Sequence, residues 1–264
     1  MTAIDQQPPG LLTQVDGAVA TLTISNPRSR NAMTRDMWTG LPATLARLAT
    51  DAAVRLVVLT GAGDHFCAGA DVREILSGGG DSADTRSAVS AAEHALITFP
   101  KPLISVIRGF CIGGGCQIAA ATDIRVASDD AVLAITPARL GIVYPASSVR
   151  RLATLVGPGV AKQLLFTGCR LTAQQARQVG LIEEVVPAAQ LDERVHALST
   201  SITSLSQLSI RASKEMIDAI DAGHHGKSIE DRWTADAAAG AEIAEGVRSF
   251  VERRPADFPW AGRP

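Results

Sequence analysis

The chain has 264 residues, a formal net charge of −2 and a pI near 6.2. This length can supply one large hydrophobic core, or a core with a helical appendage. Because no broad cationic field is present, neither nucleic acid nor an anionic membrane is expected as a primary partner. The first twenty residues lack a cationic region followed by an apolar stretch, and no eighteen apolar residues run together. We therefore expect a cytoplasmic protein with no membrane association.

Short apolar strands alternate with helical or glycine-containing segments through most of the chain. A helix is predicted to begin after Thr34 as its N-cap and to bend at Pro42. Its buried face is predicted to carry Met37, Leu41, Leu45 and Leu48. Strands are predicted at residues 18–24, 54–60, 103–107, 124–127 and 132–135. This alternation indicates an α/β fold.

The strand pattern ends near Pro187, and helical patterns follow it. Helices are predicted over residues 190–204, 207–222 and 228–253. The sequence thus predicts an α/β core over residues 1–190 and a helical region over residues 191–264, which covers the core or supports oligomerisation. Residues 77–82, Ser-Gly-Gly-Gly-Asp-Ser, are predicted to form a loop near a pocket rim, either as a gate or as an idle linker.

A glycine triplet is the first candidate functional feature. Gly113-Gly114-Gly115-Cys116-Gln117 follows a strand-like run and leads directly into an alanine-rich helix. The first N–H groups of a helix have no partner within it, and residues without Cβ allow a carbonyl group to approach them closely. The helix dipole adds partial positive charge at the same place. The pattern therefore predicts a site for a developing oxyanion.

A second turn lies earlier in the chain. Phe66-Cys67-Ala68-Gly69-Ala70-Asp71 comes after the apolar run Leu56–Leu59 and again joins a strand to a helix-like segment. Two such turns can each direct one N–H at the same oxygen. This pair of turns resembles the enoyl-CoA hydratase/isomerase family, the crotonase superfamily. The resemblance continues through segments in the same order: Asn26-Pro27, Asn31-Ala32-Met33, Thr136–Gly141, Leu165–Gly168, Ala176–Val186 and Glu245–Pro255.

The resemblance implies a crotonase-like spiral of ββα units covered by the C-terminal helices, assembled as a homotrimer or homohexamer. It implies an acyl-CoA substrate, with coenzyme A present as part of the thioester and no permanently bound cofactor. The donors to the thioester oxygen would be the N–H groups of Ala68 and Gly114. The residues implied in binding substrate or CoA are Arg28, Arg30, Ala32, Ala70 and Asp71.

Two positions depart from the resemblance. A typical enoyl-CoA hydratase has glutamates where this chain has Gln117 and Pro137. Addition of water needs one group to activate it and another to deliver a proton, so standard hydration is not expected here. Gln117 can still hydrogen-bond a water molecule or the acyl group.

Tyr144 is the only tyrosine of the chain. Its surroundings resemble methylmalonyl-CoA decarboxylase of the same superfamily, which implies an active-site tyrosine. Decarboxylation forms the enolate without a base. Three hypotheses therefore stay open. The first is an enoyl-CoA hydratase/isomerase-type enzyme with other proton-transfer groups, and the second is a decarboxylase. The third is a CoA-thioester-binding or assembly subunit without turnover.

The remaining candidate groups indicate structure more than chemistry. Cys67, Cys111, Cys116 and Cys169 form no C-x-x-C pair and accompany no histidine cluster, so neither a disulfide framework nor a metal site is expected. Buried thiols are the better interpretation. Ser147 and Ser148 are predicted to cap a helix that begins near Val149.

Overall fold

The structure is a computed structural model, and it describes residues 8–71, 73, 83–260 and 262. The loop predicted at residues 77–82 lies outside these ranges. Within them, the chain alternates strands and helices up to Val186 and is helical afterwards.

The main sheet is mostly parallel. It contains, from one edge to the other, β1 (Gly10–Asp16), β2 (Val19–Ser25), β3 (Leu56–Gly61), β4 (Leu103–Ile107), β6 (Ile124–Ser128) and β9 (Glu184–Val186). Strands β1 and β2 form an antiparallel pair, and every later pair in this sheet is parallel. The predicted strands at residues 18–24, 54–60, 103–107 and 124–127 are confirmed, whereas β1 was not predicted.

A smaller sheet carries the segment that precedes the glycine triplet. It contains β5 (Phe110–Ile112), β7 (Val132–Ala134) and β8 (Arg170–Thr172), with β5 parallel and β8 antiparallel to β7. The strand predicted at residues 132–135 corresponds to β7. The helices that follow or connect these strands are α1 (Arg35–Thr50), α2 (Ala83–Ile97), α3 (Gly114–Ala120), α4 (Pro137–Leu140), α5 (Ala146–Thr167) and α6 (Ala173–Gln178).

Helix α1 begins as the sequence predicts. The Thr34 hydroxyl accepts a hydrogen bond from the Met37 N–H at 3.3 Å, which satisfies one of the unpaired donors of the first turn. The predicted apolar face is buried, together with Trp38. The helix runs through Pro42 as one element.

The C-terminal region contains α7 (Leu191–Ser204), α8 (Gln207–Asp221), α9 (Lys227–Ala239) and α10 (Glu242–Glu252). The single helix predicted over residues 228–253 is wrong. It divides at Gly240, which has extended backbone and therefore ends α9. The division of the chain into regions at residues 190 and 191 stays a prediction.

The main sheet is buried on both faces, as parallel sheets usually are. Along β3, Val57 and Leu59 face the larger apolar cluster with α1 and α2, whereas Leu56 and Val58 face a smaller cluster with Leu191 of α7. Successive residues of a strand point to opposite faces, so one strand contributes to both clusters. Among the described residues, no helix combines the length and the apolar character needed to cross a bilayer.

Candidate active site

The Ala-Gly-Ala-Asp turn is fixed at both of its ends. At its start, Cys67 pairs with β5: its N–H donates to Phe110 O, and its carbonyl accepts from Ile112 N, both at 2.9 Å. At its end, Met33 N donates to Gly69 O at 2.7 Å, and Asp71 N donates to Met33 O at 3.0 Å. The turn is therefore held between the segment before α1 and the strand that leads to the glycine triplet.

An asparagine side chain adds a third connection to this turn. Asn31 lies in the left-handed region with φ 60°, a conformation that asparagine tolerates better than most residues. Its side-chain amide donates to the carbonyls of Ala62 and His65 at 2.8 and 2.6 Å, and its oxygen accepts from Asn26 N at 3.0 Å. The Asn-Ala-Met segment thus has a structural role beside the turn.

The free amide of the first turn belongs to Ala70. In the parallel bridge between Met33 and Ala70, the hydrogen bonds of Met33 go to Gly69 and Asp71, the two neighbours of Ala70. The N–H of Ala70 therefore points away from Met33. It donates to no atom of the described residues. The Ala68 N–H, in contrast, donates to Arg30 O at 3.0 Å. Ala68 is therefore not available as the oxyanion donor, in contrast to the expectation from the sequence.

The second turn presents the N–H of Gly114. Gly113 precedes α3 with φ 55°, and its N–H donates to Ala134 O at 2.8 Å. Gly114 is the first residue of α3, so its N–H has no acceptor within the helix. No other described residue accepts it.

The two turns lie in contact with each other. A Cβ atom added to Gly114 would lie 3.5 Å from Ala70 N, and one added to Gly69 would lie 3.4 Å from Gly114 N. A Cβ atom added to Gly115 would lie 2.3 Å from Cys67 O, so this glycine is required for the close approach. The structure therefore brings together Ala70 and Gly114.

Tyr144 lies beside the first residue of the glycine triplet. Its hydroxyl oxygen is 3.6 Å from the position that a Cβ atom of Gly113 would occupy. Burial is the main cause of a raised Tyr144 pKa, and the thiol of Cys116 and the carboxyl of Glu93 raise it further. Within the part of the chain that is described, the hydroxyl makes no hydrogen bond, so it is a neutral donor available to a ligand.

Gln117 and Pro137 occupy the positions that the sequence singled out. Gln117 lies in the first turn of α3, and its buried Nε2 has no hydrogen-bond partner among the described residues. Pro137 is buried at the start of α4, where its missing N–H costs nothing. Neither residue can exchange a proton at neutral pH.

A buried carboxyl group that the sequence reasoning missed lies near Tyr144. Glu93 is on α2 and is 3 % exposed. The Ser148 hydroxyl contacts both of its carboxylate oxygens, at 2.7 and 2.6 Å. The expected capping role of Ser148 is therefore wrong, because α5 begins at Ala146 with Pro145 as N-cap and no side-chain cap. Burial raises the pKa of Glu93, and the Ser148 hydrogen bond lowers it by less.

The cysteines are free thiols, and Cys67, Cys111 and Cys116 are buried. Burial raises the pKa of Cys67 to about 12 and also raises that of Cys111. Because the thiolate is the nucleophilic form, these two thiols are poor nucleophiles. The described residues contain no group of three or more His, Cys, Asp or Glu residues placed to hold a metal ion.

The chain is similar to known proteins over most of its length. The sequence model of the family Enoyl-CoA hydratase/isomerase matches residues 14–261. The chain belongs to this family. It is 32 % identical over 255 residues to the crotonyl-CoA hydratase of Syntrophomonas wolfei, covering 94 % of this chain and 97 % of that protein. It is 32 % identical over 246 residues to the 2,3-dehydroadipyl-CoA hydratase of Escherichia coli, covering 91 % and 94 % respectively.

Solved structures of the family share the fold. An enoyl-CoA hydratase from Bacillus anthracis superposes with a TM-score of 0.87 at 31 % identity, covering 94 % of this chain and 98 % of that one. The predicted crotonase-like α/β fold with a helical C-terminal region is thereby confirmed.

The residues expected to bind CoA have different environments. Arg28 and Arg30 are exposed, and the Arg30 guanidinium lies 5.0 Å from the centre of the Phe110 ring. Ala32 is buried, its N–H donates to Ser29 O and its carbonyl accepts from Asn26, so its backbone groups are already used.

Asp71 serves its own turn rather than a ligand. It is 7 % exposed, and its carboxylate accepts from the Arg73 guanidinium at 3.0 and 2.7 Å. The hydrogen bond from Arg73 is the main reason why the pKa of Asp71 is lowered. Arg73 also donates to the Ser29 hydroxyl, which places a third exposed arginine beside the turn that carries Arg28 and Arg30. The sequence reasoning did not identify Arg73.

Proposed function

We propose that this protein acts on acyl-CoA thioesters and binds the thioester oxygen with the backbone N–H groups of Ala70 and Gly114. The observation that carries the proposal is that the N–H groups of Ala70 and Gly114 lie close to each other. Both N–H groups lack an acceptor among the described residues, and each nitrogen lies within 3.5 Å of a Cβ position on the opposite turn. A thioester oxygen between them would accept both hydrogen bonds.

These donors favour an enolate over the neutral thioester. When the bond at the α-carbon breaks, negative charge moves onto the thioester oxygen, and preoriented donors interact more strongly with that charge than with a carbonyl. Loss of one such donor costs about 3 kcal/mol of transition-state stabilisation, or roughly a factor of 100 in rate. The Ala70 and Gly114 pair therefore fits any reaction that passes through a thioester enolate.

We favour a reaction of the enoyl-CoA hydratase/isomerase family in the broad sense, because the family model matches and because the chain is similar to the crotonyl-CoA and 2,3-dehydroadipyl-CoA hydratases. Gln117 and Pro137 stand where the typical glutamates are expected, so the proton-transfer groups must lie elsewhere. This argues against ordinary hydration, which needs two proton-transfer groups. Reactions that need a single proton-transfer group are compatible with these two residues.

A decarboxylase is the second candidate. The unpaired hydroxyl of Tyr144 beside Gly113 could donate a hydrogen bond to a substrate carboxylate, and loss of carbon dioxide forms the enolate without a base. A CoA-thioester-binding subunit without turnover is the third candidate, and the two replaced glutamates support it.

The exposed arginines and the C-terminal helix bear on binding and assembly. We propose that Arg28, Arg30 and Arg73 approach the phosphates of CoA, which enters as part of the substrate and not as a permanently bound cofactor.

Helix α10 exposes Ile243, Val247 and Phe250, with Phe250 85 % exposed. This apolar stripe supports the homotrimer or homohexamer that the family resemblance implies. A cytoplasmic location stays a prediction.

The test is a mass-spectrometric screen of 2-enoyl-, 3-enoyl- and malonyl-type CoA thioesters. Gain of water, migration of the double bond and loss of carbon dioxide separate the enzymatic candidates, whereas binding without product favours the third. The Gly114→Pro variant removes one donor at the first helical position. Its Cβ atom would lie 3.1 Å from the Trp38 ring, so urea unfolding of the variant is measured beside its turnover. We expect it to lose about 100-fold in turnover.

A matched control is Lys227→Pro, which places proline at the first position of the exposed helix α9, again after a glycine with positive φ. We expect its turnover to equal that of the unchanged protein. Full turnover in Gly114→Pro would refute the assignment of that donor.

A further inference from the structure

Glu93 is a buried carboxyl group with little to compensate its burial. It is 3 % exposed on α2, between Ala92 and Leu96 of the main core. A carboxylate in such surroundings is costly unless it is paired and hydrogen-bonded. Its hydrogen-bond partner among the described residues is the single hydroxyl of Ser148. A contribution to stability is therefore a poor explanation for a glutamate at position 93.

The charged and titratable groups around Glu93 come from two segments. Arg151 on α5 lowers the Glu93 pKa through its charge, but no ion pair within 4.0 Å joins the two side chains in the part of the chain described. Tyr144, in the loop before α5, is near enough for the Glu93 charge to raise its pKa. Ser148 and Arg151 thus offset only part of the effect that burial has on the pKa of Glu93.

The position of Glu93 connects it to the two turns. Ser148 fixes it against the first turn of α5, and the loop just before that helix places the Tyr144 hydroxyl beside Gly113. Gly113 directly precedes the donor Gly114. The segment from Tyr144 to Ser148 therefore lies against the glycine triplet at one end and hydrogen-bonds the Glu93 carboxyl group at the other.

We propose that the Glu93 carboxylate is the group that exchanges protons with the α-carbon of the bound thioester, on the side of the site where Tyr144 lies. The proposal rests on the proposed function. In the forward step the α-carbon–hydrogen bond breaks, the proton moves to a Glu93 oxygen, and the electron pair moves through the α-carbon to the thioester oxygen held by Ala70 and Gly114. Return of the proton to the α-carbon reverses the step.

A single carboxyl group favours a particular substrate class. With a 3-enoyl-CoA, the electron pair spreads over the double bond, and return of the proton at C4 gives the 2-enoyl product with no net gain or loss of atoms. This shift needs one group that accepts and then gives the same proton, whereas addition of water needs two. One proton-transfer carboxyl group, here Glu93, therefore points to 3-enoyl-CoA thioesters as substrates.

The test compares Glu93→Gln with the unchanged protein. Deuterium exchange at the α-carbon of a saturated acyl-CoA in heavy water is followed by mass spectrometry as a function of pH, together with conversion of 3-enoyl-CoA. Binding of the acyl-CoA is measured by calorimetry. We expect Glu93→Gln to bind within threefold of the unchanged protein and to lose about 100-fold or more in exchange. The rise of the rate with pH that reports the carboxylate should vanish.

Two further variants guard against an indirect effect. Glu193→Gln changes an exposed glutamate on α7 and should leave the exchange rate and its pH profile unchanged. Ser148→Ala removes a hydrogen bond that lowers the Glu93 pKa, so the rise of the rate should move to higher pH. This shift remains measurable if Glu93→Gln fails to fold.

The outcomes separate this inference from the proposed function. Exchange within threefold of the unchanged protein in Glu93→Gln, or an unmoved pH profile in Ser148→Ala, would overturn the role of Glu93 and leave the proposed function intact. Binding of acyl-CoA by the unchanged protein with no exchange and no product would overturn both, in favour of a binding subunit.

Discussion

The N–H of Ala68 donates to the carbonyl of Arg30 at 3.0 Å, and this hydrogen bond decides which amide of the first turn can serve a substrate. Arg30 has φ 51°, a left-handed conformation that is unusual for a residue other than glycine. The hydrogen bond therefore helps to hold a strained connection in place. It leaves the N–H of Ala70, two residues later, beside Gly114.

An amide-to-ester replacement should separate these two amides. Incorporation of lactic acid in place of Ala70 removes its N–H and weakens the Gly69 carbonyl as the acceptor from Met33 N, so turnover should fall about 100-fold and the free energy of unfolding by about 0.5–1 kcal/mol. The same replacement at Ala68 removes the structural hydrogen bond to Arg30 and weakens the Cys67 carbonyl as the acceptor from Ile112 N, so the free energy of unfolding should fall by about 1.5–2 kcal/mol with little change in turnover. Urea unfolding and a turnover assay measure both effects. The opposite pattern would restore Ala68 as the donor.

The difference between these two alanines shows what the sequence could and could not predict. The cap at Thr34 and strand β4 at Leu103–Ile107 were predicted because their determinants lie within a few residues. The donor was placed at Ala68 because the turn itself does not show which N–H is used. That depends on Arg30, which is far away in the chain and near only in the fold.

Glu93 illustrates a second limit. Its sequence neighbours Ala92, Ala95 and Leu96 give it a position within an apolar helical stretch, and this was the one available signal. Its proximity to Ser148 and Tyr144 depends on how α2 packs against the start of α5. The single helix predicted over residues 228–253 is wrong for a local reason, because the extended backbone of Gly240 ends the first of two helices there.

Gly115 should tolerate no side chain. In Gly115→Ala the new Cβ atom would lie 2.3 Å from the carbonyl oxygen of Cys67, and a backbone atom cannot move aside cheaply. We expect the variant to lose about 1–3 kcal/mol of stability in urea unfolding. Gly159→Ala on α5 is the control, because no atom lies within 4 Å of its added Cβ. If both variants were equally stable, the close contact of the two turns would be contradicted.

The buried thiols should resist alkylation. Cys67, Cys111 and Cys116 are buried, and burial raises the pKa of Cys67 to about 12, whereas Cys169 is half-buried. With iodoacetamide at pH 8, peptide mass spectrometry should show Cys169 modified first and the other three only after unfolding in urea. Rapid modification of Cys67 in the folded protein would contradict its burial and reopen a nucleophilic role.

The Glu245 carboxylate should make stability depend on pH. Hydrogen bonds from the Arg254 side chain and the Asp257 N–H hold the pKa of Glu245 at about 2. A pKa that is lower in the folded state adds stability above the unfolded pKa, and this stability is lost as the pH falls through 2. The urea midpoint of Glu245→Gln should therefore lie below that of the unchanged protein at pH 7 and by less at pH 3. An equal difference at both pH values would refute the linkage.

The most direct test of the account is the infrared spectrum of a bound acyl-CoA labelled with ¹³C at the thioester carbonyl. Hydrogen bonds from Ala70 and Gly114 polarise that carbonyl, so its stretching band should move to lower frequency on binding and should return most of the way in Gly114→Pro. A bound band at the frequency found in water, or the same shifted band in Gly114→Pro, would contradict the account.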